Sequence, residues 1–325
     1  MVTSSTPREL SGASNARTLQ TDELVAELSV RSAPPHSESF APASVRFVTD
    51  PIRASIVPDF EELPEYAASL LAYHRSHAEA LAGMIDALPV EPGQRWLDLA
   101  TGDGTYAMLL AEKQAQVVAI DSDERYLAFA RRRTQGRGLR VEFRAGDAYR
   151  LPFTDGELDG AFCAQSFYDL EDAPRVLREM KRVVRAGGHL AVMENDSLHH
   201  LVLPWPPDLE LKLRTAQLTA LSVEAGDESR FYVGRRLVPL FESQGLVDVR
   251  EESFTTMRRA PLSKDERCFL EHQLTALFQM VEARLPVEER ARAHAYCTPG
   301  EPQFLLDQPS FSATILDFLV WGRVP

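Results

Sequence analysis

The stretch Arg95-Trp-Leu-Asp-Leu-Ala-Thr-Gly-Asp-Gly-Thr-Tyr-Ala-Met108 decides the fold of this chain. It begins with a short apolar strand, turns at Gly102 and Gly104, and continues with the apolar spacing of a helix. Glycines in such a turn let the backbone approach a ligand closely, and the free N–H groups of the following helix favour polar or anionic groups. The stretch therefore predicts a strand, a tight turn and a helix that bind a nucleotide-like ligand.

Asp98 distinguishes between two ligands that fit this turn. The run from Gly102 to Ala107 satisfies the dinucleotide pattern G-x-G-x-x-G/A, and Asp121 ends the next predicted strand. A dinucleotide-binding strand, however, normally has an apolar residue where this chain has Asp98. A carboxylate in a parallel strand is costly to desolvate unless it meets a donor or a cation. S-adenosylmethionine offers an ammonium and a sulfonium, so Asp98 favours that cofactor.

Further motifs follow the turn in a fixed order. They are Val117-Val-Ala-Ile-Asp121, Gly146-Asp147-Ala148 with Leu151-Pro-Phe153, Leu158-Asp159-Gly-Ala-Phe162, and Leu177-Arg-Glu-Met-Lys-Arg-Val-Val-Arg-Ala-Gly187-Gly188. With Asp98-Leu-Ala-Thr-Gly102-Asp-Gly104 they resemble, over roughly residues 60 to 323, the class I S-adenosylmethionine-dependent methyltransferases. The resemblance is to the small-molecule group that includes the ubiquinone and menaquinone C-methyltransferases. Two positions depart from the family, because Ala100 replaces its usual first glycine and Ala186 its usual proline.

Strands and helices alternate between Trp96 and Glu194, which predicts a parallel sheet with ligands at the carboxyl ends of its strands. The resemblance implies an α/β, Rossmann-like, doubly wound sheet of seven strands, mostly parallel with an antiparallel last strand, and a helical cap. Val247–Glu252 and Ser312–Gly322 resemble the closing antiparallel hairpin of that sheet. The expected organisation is a mostly disordered or extended arm, 1–55; an N-terminal helical region, 56–94; a core, 95–197 and 233–325; and a helical cap over the active site, 198–232 and 263–300.

The resemblance also implies which residues hold the S-adenosylmethionine cofactor. Asp98 and the turn of Ala100, Gly102 and Gly104 would hold its amino-acid end, and Asp121 would accept from both ribose hydroxyls. The remaining cofactor contacts would come from Asp147 and the backbone of Ala148 at the adenine edge, and from Gln165 beside the methionine moiety. We expect Asp103 and Asp159 to be structural residues at a turn and at a strand start.

Methyl transfer from a sulfonium is an in-line displacement, which needs a general base only if the acceptor is protonated. The predicted catalytic residues are His199 and His200, which follow the fifth strand, with Tyr168 behind them. An acceptor pocket is predicted from aromatic residues near the cap, which suit a flat, partly apolar small molecule and could equally form ordinary core. These residues are Phe167, Tyr168, Trp205, Phe231, Tyr232 and Arg235.

Helical spacing from Glu61 to Leu88 predicts a helical region before the first strand, and the Ser263-x-x-Glu266 spacing predicts a capping box for a later helix. His74 and His77 lie in the first region. No third ligand is near them in the sequence, so we expect two exposed histidines and no metal. Gln165 also argues against a metal, since cation-dependent catechol methyltransferases have an aspartate there.

Composition excludes several classes of protein. A net charge of −13 and a pI near 5.2 over 325 residues leave no broad basic face, so a nucleic-acid substrate is not expected. Cys163, Cys268 and Cys297 form no C-x-x-C pair, which indicates neither a disulfide framework nor a zinc site. We expect a soluble cytoplasmic protein without a membrane segment or a secretion signal. A homodimer is compatible with the sequence, which leaves the oligomeric state open.

The leading hypothesis is a methyltransferase that acts on an oxygen or carbon atom of a small, partly aromatic metabolite. Three alternatives stay open: an enzyme that binds the same donor for non-methylating chemistry, a non-catalytic subunit that keeps the fold, and a dinucleotide-dependent oxidoreductase. The complete set of Asp98, Gly102, Gly104, Asp121 and Asp147 argues against the second. Asp98 and Gly146-Asp147-Ala148 argue against the third.

Overall fold

The computed structural model of the 325-residue chain describes Leu63, residues 66–225 and residues 232–325. The predicted arm, 1–55, and the predicted pocket residue Phe231 lie outside the described residues. Within the described part of the chain, no helix is long and apolar enough to cross a membrane.

Among the described residues, α1 (Ala67–Ser76) and α2 (Ala78–Ala87) precede the sheet. Helical spacing from Glu61 to Leu88 predicts this region but not the break at His77. The His77 Nδ1 atom lies 2.9 Å from the carbonyl oxygen of Tyr73, and the His77 backbone leaves the helical conformation at φ −115° and ψ 12°. The His77 N–H still donates to the same Tyr73 carbonyl at 3.0 Å, so the side-chain contact adds to the helical hydrogen bond there and the break lies in the backbone angles.

Parallel strands form the first part of the sheet. They are β1 (Arg95–Leu99), β2 (Gln116–Asp121), β3 (Val141–Ala145), β4 (Leu158–Ala164) and β5 (Val184–Glu194). The helices between them are α3 (Thr105–Glu112), α4 (Glu124–Thr134) and α5 (Ala173–Val183). The strand order is β3-β2-β1-β4-β5, so the chain adds strands to one side of β1 first and to its other side afterwards. In such folds ligands bind in the crevice at this switch point, which lies here at the carboxyl ends of β1 and β4.

Antiparallel strands form the second part of the sheet. They are β6 (Leu201–Val202), β7 (Val247–Arg259) and β8 (Ser312–Arg323). One side of β8 pairs with β6 and then with β5, and its other side pairs with β7. The predicted mostly parallel sheet with an antiparallel closing strand is confirmed. The described residues form eight strands rather than seven, because the two residues of β6 also pair with β8.

Four helices follow β5 in the described part of the chain. They are α6 (Pro207–Ala225), α7 (Leu237–Ser243), α8 (Lys264–Val281) and α9 (Val287–Cys297). The predicted capping box starts α8: the Ser263 hydroxyl accepts from the Glu266 N–H at 3.3 Å, and the Glu266 carboxylate accepts from the Ser263 N–H at 2.8 Å. Short 3-10 turns lie at Gly234–Arg236, Glu282–Arg284 and Leu305–Asp307.

The strands alternate their side chains between two buried layers. Trp96 and Phe162 belong to the first layer, which also contains residues of α2, α3, α6, α8 and α9. Leu97 and Cys163 belong to the second layer, with residues of α5 and α7. The first layer therefore joins the sheet to the helices α6 and α8 of the predicted cap.

Candidate functional site

The turn after β1 adopts left-handed backbone angles at three positions. Ala100, Gly102 and Gly104 have φ values of 57°, 51° and 80°. For a residue with a side chain this conformation costs about 1–2 kcal/mol, so Ala100 is strained where the family has glycine. The turn closes in spite of it: the Thr101 N–H donates to the Ile120 carbonyl at 3.0 Å, and the Gly104 N–H donates to the Thr101 carbonyl at 2.9 Å.

Gly104 is required for packing as well as for its backbone angle. A Cβ atom at this position would lie 2.8 Å from the Cβ of Ala130 on α4. At Gly146, after β3, a Cβ would lie 2.9 Å from Cγ2 of Ile120. Both glycines therefore let neighbouring elements approach each other closely at the edge of the sheet.

Asp98 lies inside the sheet on β1 and is 1% exposed. Its Oδ2 atom accepts from the Thr101 hydroxyl at 2.5 Å. Burial raises the pKa of Asp98 to about 7, and the nearby carboxyl groups of Asp121 and Asp103 add to the rise, against the hydrogen bond from Thr101. A buried carboxyl group that is half ionised near neutral pH is a strong candidate for a functional group.

Asp121 ends β2 beside the same turn. Its two carboxylate oxygens accept from backbone N–H groups, Oδ2 from Gly102 and Oδ1 from Asp123, each at 2.9 Å. Burial raises the pKa of this carboxyl group, although these two hydrogen bonds oppose the rise. The two bonds fix the orientation of the carboxylate at the mouth of the turn, and they leave each oxygen with capacity for a further donor.

The third carboxylate of the turn, Asp103, differs from the other two in its partners. Its Oδ2 atom lies 3.0 Å from His74 Nδ1 on α1 and 2.7 Å from Arg133 Nη1 on α4. Burial would raise the pKa of Asp103, but His74 and Arg133 together hold it below its ordinary value. Its Oδ1 atom accepts from the Thr105 N–H at 3.0 Å, which fits the expected turn role.

The described residues supply no cationic side chain to Asp98 or Asp121, in contrast to Asp103. Two carboxylates beside one glycine turn would be stabilised by a ligand that carries positive charge and hydroxyl donors. S-adenosylmethionine has both, in its ammonium and sulfonium groups and its ribose. The site therefore fits this donor.

The sequence did not indicate the surroundings of His74, which lies on α1, and of His77, which directly follows α1. The expectation that His74 and His77 are exposed is wrong: they are 5% and 1% exposed. His74 reaches Asp103, and burial lowers the pKa of His77 to about 2, with Arg258 contributing. A Cβ at Gly102 would be 4.0 Å from Cδ2 of Leu70, so α1 lies directly over the turn.

The other predicted cofactor residues lie at the same edge of the sheet. Asp147 is exposed after β3, and its Oδ1 atom accepts from the Tyr149 N–H at 2.9 Å. Ala148 is half-buried against the second layer. Gln165 follows β4 with φ 50°, and its N–H donates to the Met193 carbonyl at 2.9 Å.

Glu194, at the end of β5, is fully buried. Its Oε1 atom accepts from the Phe167 N–H at 2.6 Å, which joins the segment after β4 to the end of β5. Burial raises the pKa of Glu194 to about 8, although the hydrogen bonds from backbone N–H groups oppose the rise. The contacts of this carboxyl group are those of a residue that positions the neighbouring segment.

The predicted catalytic histidines have different surroundings. His199 is exposed and stacks on Tyr232 with ring centroids 6.0 Å apart, and burial of part of its ring and Arg235 lower its pKa. His200 is 5% exposed, and burial lowers its pKa to about 4. Tyr168 is half-buried against the second layer.

The predicted pocket residues do not converge on one place. Phe167 is 1% exposed in the second layer, the position of a core residue. Trp205 belongs to the first layer, and Tyr232 packs against that layer. Arg235 forms an ion pair with Asp196, and its guanidinium lies 4.6 Å from the ring centroid of Tyr232. Of the predicted residues that the structure describes, Trp205 and His200 together line one cavity.

Comparison with known proteins agrees with the fold and the turn. Residues 97–192 match the family model described as a methyltransferase domain. A demethylmenaquinone methyltransferase of Thermus thermophilus is 44% identical over 103 residues, which is 31% of this chain and 47% of that protein. The corresponding Deinococcus radiodurans enzyme is 36% identical over 143 residues, 43% of this chain and 57% of that protein. This chain thus spans about half the length of these relatives.

A crystal structure of a candidate methyltransferase from Bacillus halodurans is similar in fold, with a TM-score of 0.51 and 19% identity. The similar region covers 76% of this chain and 99% of the Bacillus halodurans chain. Together, the family match, the strand order and the turn assign this chain a domain of the class I S-adenosylmethionine-dependent methyltransferases.

Proposed function

We propose that this protein is an S-adenosylmethionine-dependent methyltransferase that transfers a methyl group to an oxygen or carbon atom of a small, partly aromatic acceptor. One observation carries the proposal. Asp98 and Asp121 flank the glycine turn at the carboxyl edge of the sheet, and neither has a cationic partner among the described residues. A non-catalytic subunit would have no reason to keep a buried carboxyl group whose pKa is about 7.

The proposed donor contacts follow from the positions of these residues. Asp121, already oriented by two backbone N–H groups, would accept from the ribose hydroxyls. Asp98 and the backbone of the turn at Ala100 and Gly102 would hold the amino-acid end, and Gly104 would give the turn its shape. Asp147, Ala148 and Gln165 would contact the adenine and the methionine moiety.

The acceptor class is inferred from the relatives and from the cap. The relatives are methyltransferases of demethylmenaquinone and of 2-phytyl-1,4-naphthoquinone, both aromatic ring systems by name. Most of this chain lies outside the match with the Thermus enzyme, which covers 31% of it. We therefore carry over an aromatic acceptor and not a particular quinone. The segments 198–232 and 263–300 would act as a cap that encloses this acceptor over the core.

When bound, the donor supplies an electrophilic methyl group on a sulfonium. The protein then has to align the acceptor with that group and exclude water. Gln165 and the segment held by Glu194 would form the wall beside the methionine moiety. His200 is neutral at pH 7, because its pKa is about 4, so it can hold an acceptor hydroxyl but is a weak base. Where a proton must be removed, His199 or Tyr168 would take it.

Calorimetric titration with S-adenosylmethionine, S-adenosylhomocysteine and NADH tests the proposal. We expect the two sulfur ligands to bind at micromolar concentrations, and Asp121→Ala to weaken both by roughly a hundredfold. Asp86→Ala is the matched control, since the side chain of Asp86 is 72% exposed and should leave binding unchanged. Methylation of a panel of phenols, naphthols and quinols with labelled donor then identifies the acceptor. Tight binding of NADH without binding of either sulfur ligand would contradict the proposal.

A further inference from the structure

A cavity lies between α6, α8 and the segment that follows β5. It is partly open to solvent, so the roughly 440 Å³ of space between its lining atoms is not an enclosed volume. Its polar lining consists of His200, Arg214, Gln217 and Gln273, and its apolar walls include Trp205 and Met280. Ligand sites in proteins typically combine apolar walls with a few convergent polar groups in this way.

Arg214 supplies the positive charge of the cavity. Its side chain is 22% exposed, and three hydrogen bonds hold the guanidinium: Nη2 donates to the Leu201 carbonyl at 2.8 Å and to Glu210 at 3.4 Å, and Nη1 donates to Gln217 at 3.3 Å. Burial lowers the pKa of Arg214, but a guanidinium stays charged at neutral pH. Glu210 offsets part of this charge, yet it is absent from the cavity lining, where Arg214 is present.

His200 supplies a hydrogen-bond acceptor. Its Nδ1 atom lies 3.1 Å from the Ser197 carbonyl, which can only accept, so Nδ1 carries the proton and Nε2 carries the lone pair. Nε2 is buried and makes no hydrogen bond of ordinary geometry with a described residue, although the Gln273 side chain faces the ring. The cavity therefore presents a fixed cation and a neutral acceptor to whatever enters it.

The apolar walls of the cavity belong to the first buried layer, on the same face of the sheet as the turn after β1. Trp205 and Met280 belong to the same apolar cluster as Tyr106 and Met193. Tyr106 lies on α3, the helix that follows the turn after β1, and Met193 lies near the end of β5. The His200 carbonyl accepts from the Leu316 N–H at 2.8 Å, which attaches this wall to β8 beside the carboxyl end of β5. An acceptor in the cavity would thus lie on the same face of the sheet as Asp98.

From these contacts we propose that the acceptor is an aromatic acid, whose carboxylate is bound by Arg214 while its ring packs on Trp205 and a ring hydroxyl donates to His200. Naming the ligand as the methyl acceptor rests on the proposed function; the binding of an aromatic carboxylate in the cavity does not. Arg214 keeps its Nε–H and one Nη1–H for such a carboxylate, because Leu201, Glu210 and Gln217 accept from its other three N–H groups. A neutral quinone offers no charge that matches the guanidinium. The acceptor would then differ in charge from the acceptors named for the relatives.

Binding of simple probes tests this inference without turnover. The probes are benzoate and 1-naphthoate, each beside its neutral amide, and the signal is quenching of tryptophan fluorescence. The chain has three tryptophans, and Trp205→Phe should abolish the quenching if the probe binds in the cavity. We expect at least one carboxylate to bind at least tenfold more tightly than its amide, and Arg214→Gln to remove that preference.

Two further variants keep the test decisive. Arg290→Gln changes an exposed arginine of α9 and should keep the preference for the carboxylate. Arg214→Lys keeps the charge but loses the planar fork, so it should keep part of the preference. Binding of S-adenosylhomocysteine by Arg214→Gln at the wild-type affinity shows that the variant is folded.

The outcomes separate the two proposals. Probe binding that depends on Arg214, with no binding of S-adenosylhomocysteine by the wild type, would support the cavity and overturn the proposed function. Binding of S-adenosylhomocysteine with equal affinity for carboxylates and amides, or with no quenching by any probe, would overturn the inference and leave the proposed function standing.

Discussion

The two proposed ligand sites are built in different ways: one is the turn after β1, here called the donor turn, and the other is the cavity between α6, α8 and the segment after β5. The donor turn comes from one continuous stretch, Arg95 to Met108, and its shape depends on left-handed backbone angles at three small residues, Ala100, Gly102 and Gly104. The cavity takes its polar groups from three separate elements, namely the segment after β5, α6 and α8. A site made by local backbone is therefore visible in the sequence, whereas a site made by side chains from distant elements is visible only in the fold.

The largest expected effect is a loss of stability when the backbone of the turn after β1 is disturbed at Gly104. Gly104→Ala should lower the free energy of unfolding by about 2–5 kcal/mol, because the residue has φ 80° and its new Cβ would be 2.8 Å from the Cβ of Ala130. Gly136→Ala is the matched control: its φ is 76° but nothing lies within 4 Å of the Cβ, so the loss should be only about 1–2 kcal/mol. Chemical denaturation measures both. Equal losses would show that the contact with Ala130 is relieved without cost.

The second effect is that replacing Asp98 should change the free energy of unfolding and the affinity for the donor in opposite directions. The pKa of this group rises from 3.8 to about 7, so between these values the native state holds more protons than the unfolded state. Stability therefore falls as the pH rises through this range, and Asp98→Asn should make the ligand-free protein more stable at pH 8, by at most about 4 kcal/mol. The same variant should bind the donor roughly tenfold to a hundredfold more weakly. A variant that is destabilised at pH 8 would show that Asp98 is stabilised as an anion without ligand.

A third effect concerns the pH dependence of donor binding. If the donor is held by ionised Asp98, binding releases a proton below pH 7, and affinity should fall by about tenfold per pH unit on further acidification. Calorimetry at pH 6 and pH 8, in buffers of different ionisation enthalpy, counts the protons. Asp98→Asn should flatten the profile. An unchanged slope in that variant would place the titrating group elsewhere.

The smallest effect lies in the cap. Ser263→Ala removes the side-chain half of the capping box of α8 and should lower the free energy of unfolding by about 1 kcal/mol. Ser263→Thr should restore most of the stability, since threonine also caps helices. Donor affinity should stay unchanged in both variants, because Asp98 and Asp121 are held by the turn. A loss of donor affinity in Ser263→Ala would show that the two regions are coupled through α8.

Much of the fold could be predicted because the signals are local. The predicted alternation of strands and helices between Trp96 and Glu194 coincides with the structure, since buried parallel strands give short apolar runs between turn residues. The break at His77 and the two-residue β6 could not be predicted. The first is a change of backbone angles at a single residue, and the second pairs with Ile315 and Thr314, far along the chain.

Prediction of the candidate site was limited in the same way. Asp98 and Asp121 follow from strand ends, and the structure places both beside the turn. The ion pairs of Asp103 with His74 and Arg133 join residues about thirty positions apart on either side, so no spacing indicates them. Arg214 was missed because, on a long helix, an arginine that lines a cavity has the same sequence pattern as one in solvent.

The position of β8 has a consequence for the synthesis of the protein. β8 follows β5, β6 and β7 in the chain, yet it lies between other strands and supplies partners to all three. Until it leaves the ribosome, the outer edge of β5 has no partner and exposes a row of backbone donors and acceptors to other nascent chains. The turn at Gly102 can form early, from neighbouring residues, but the sheet that supports it is completed only once β8 has been synthesised.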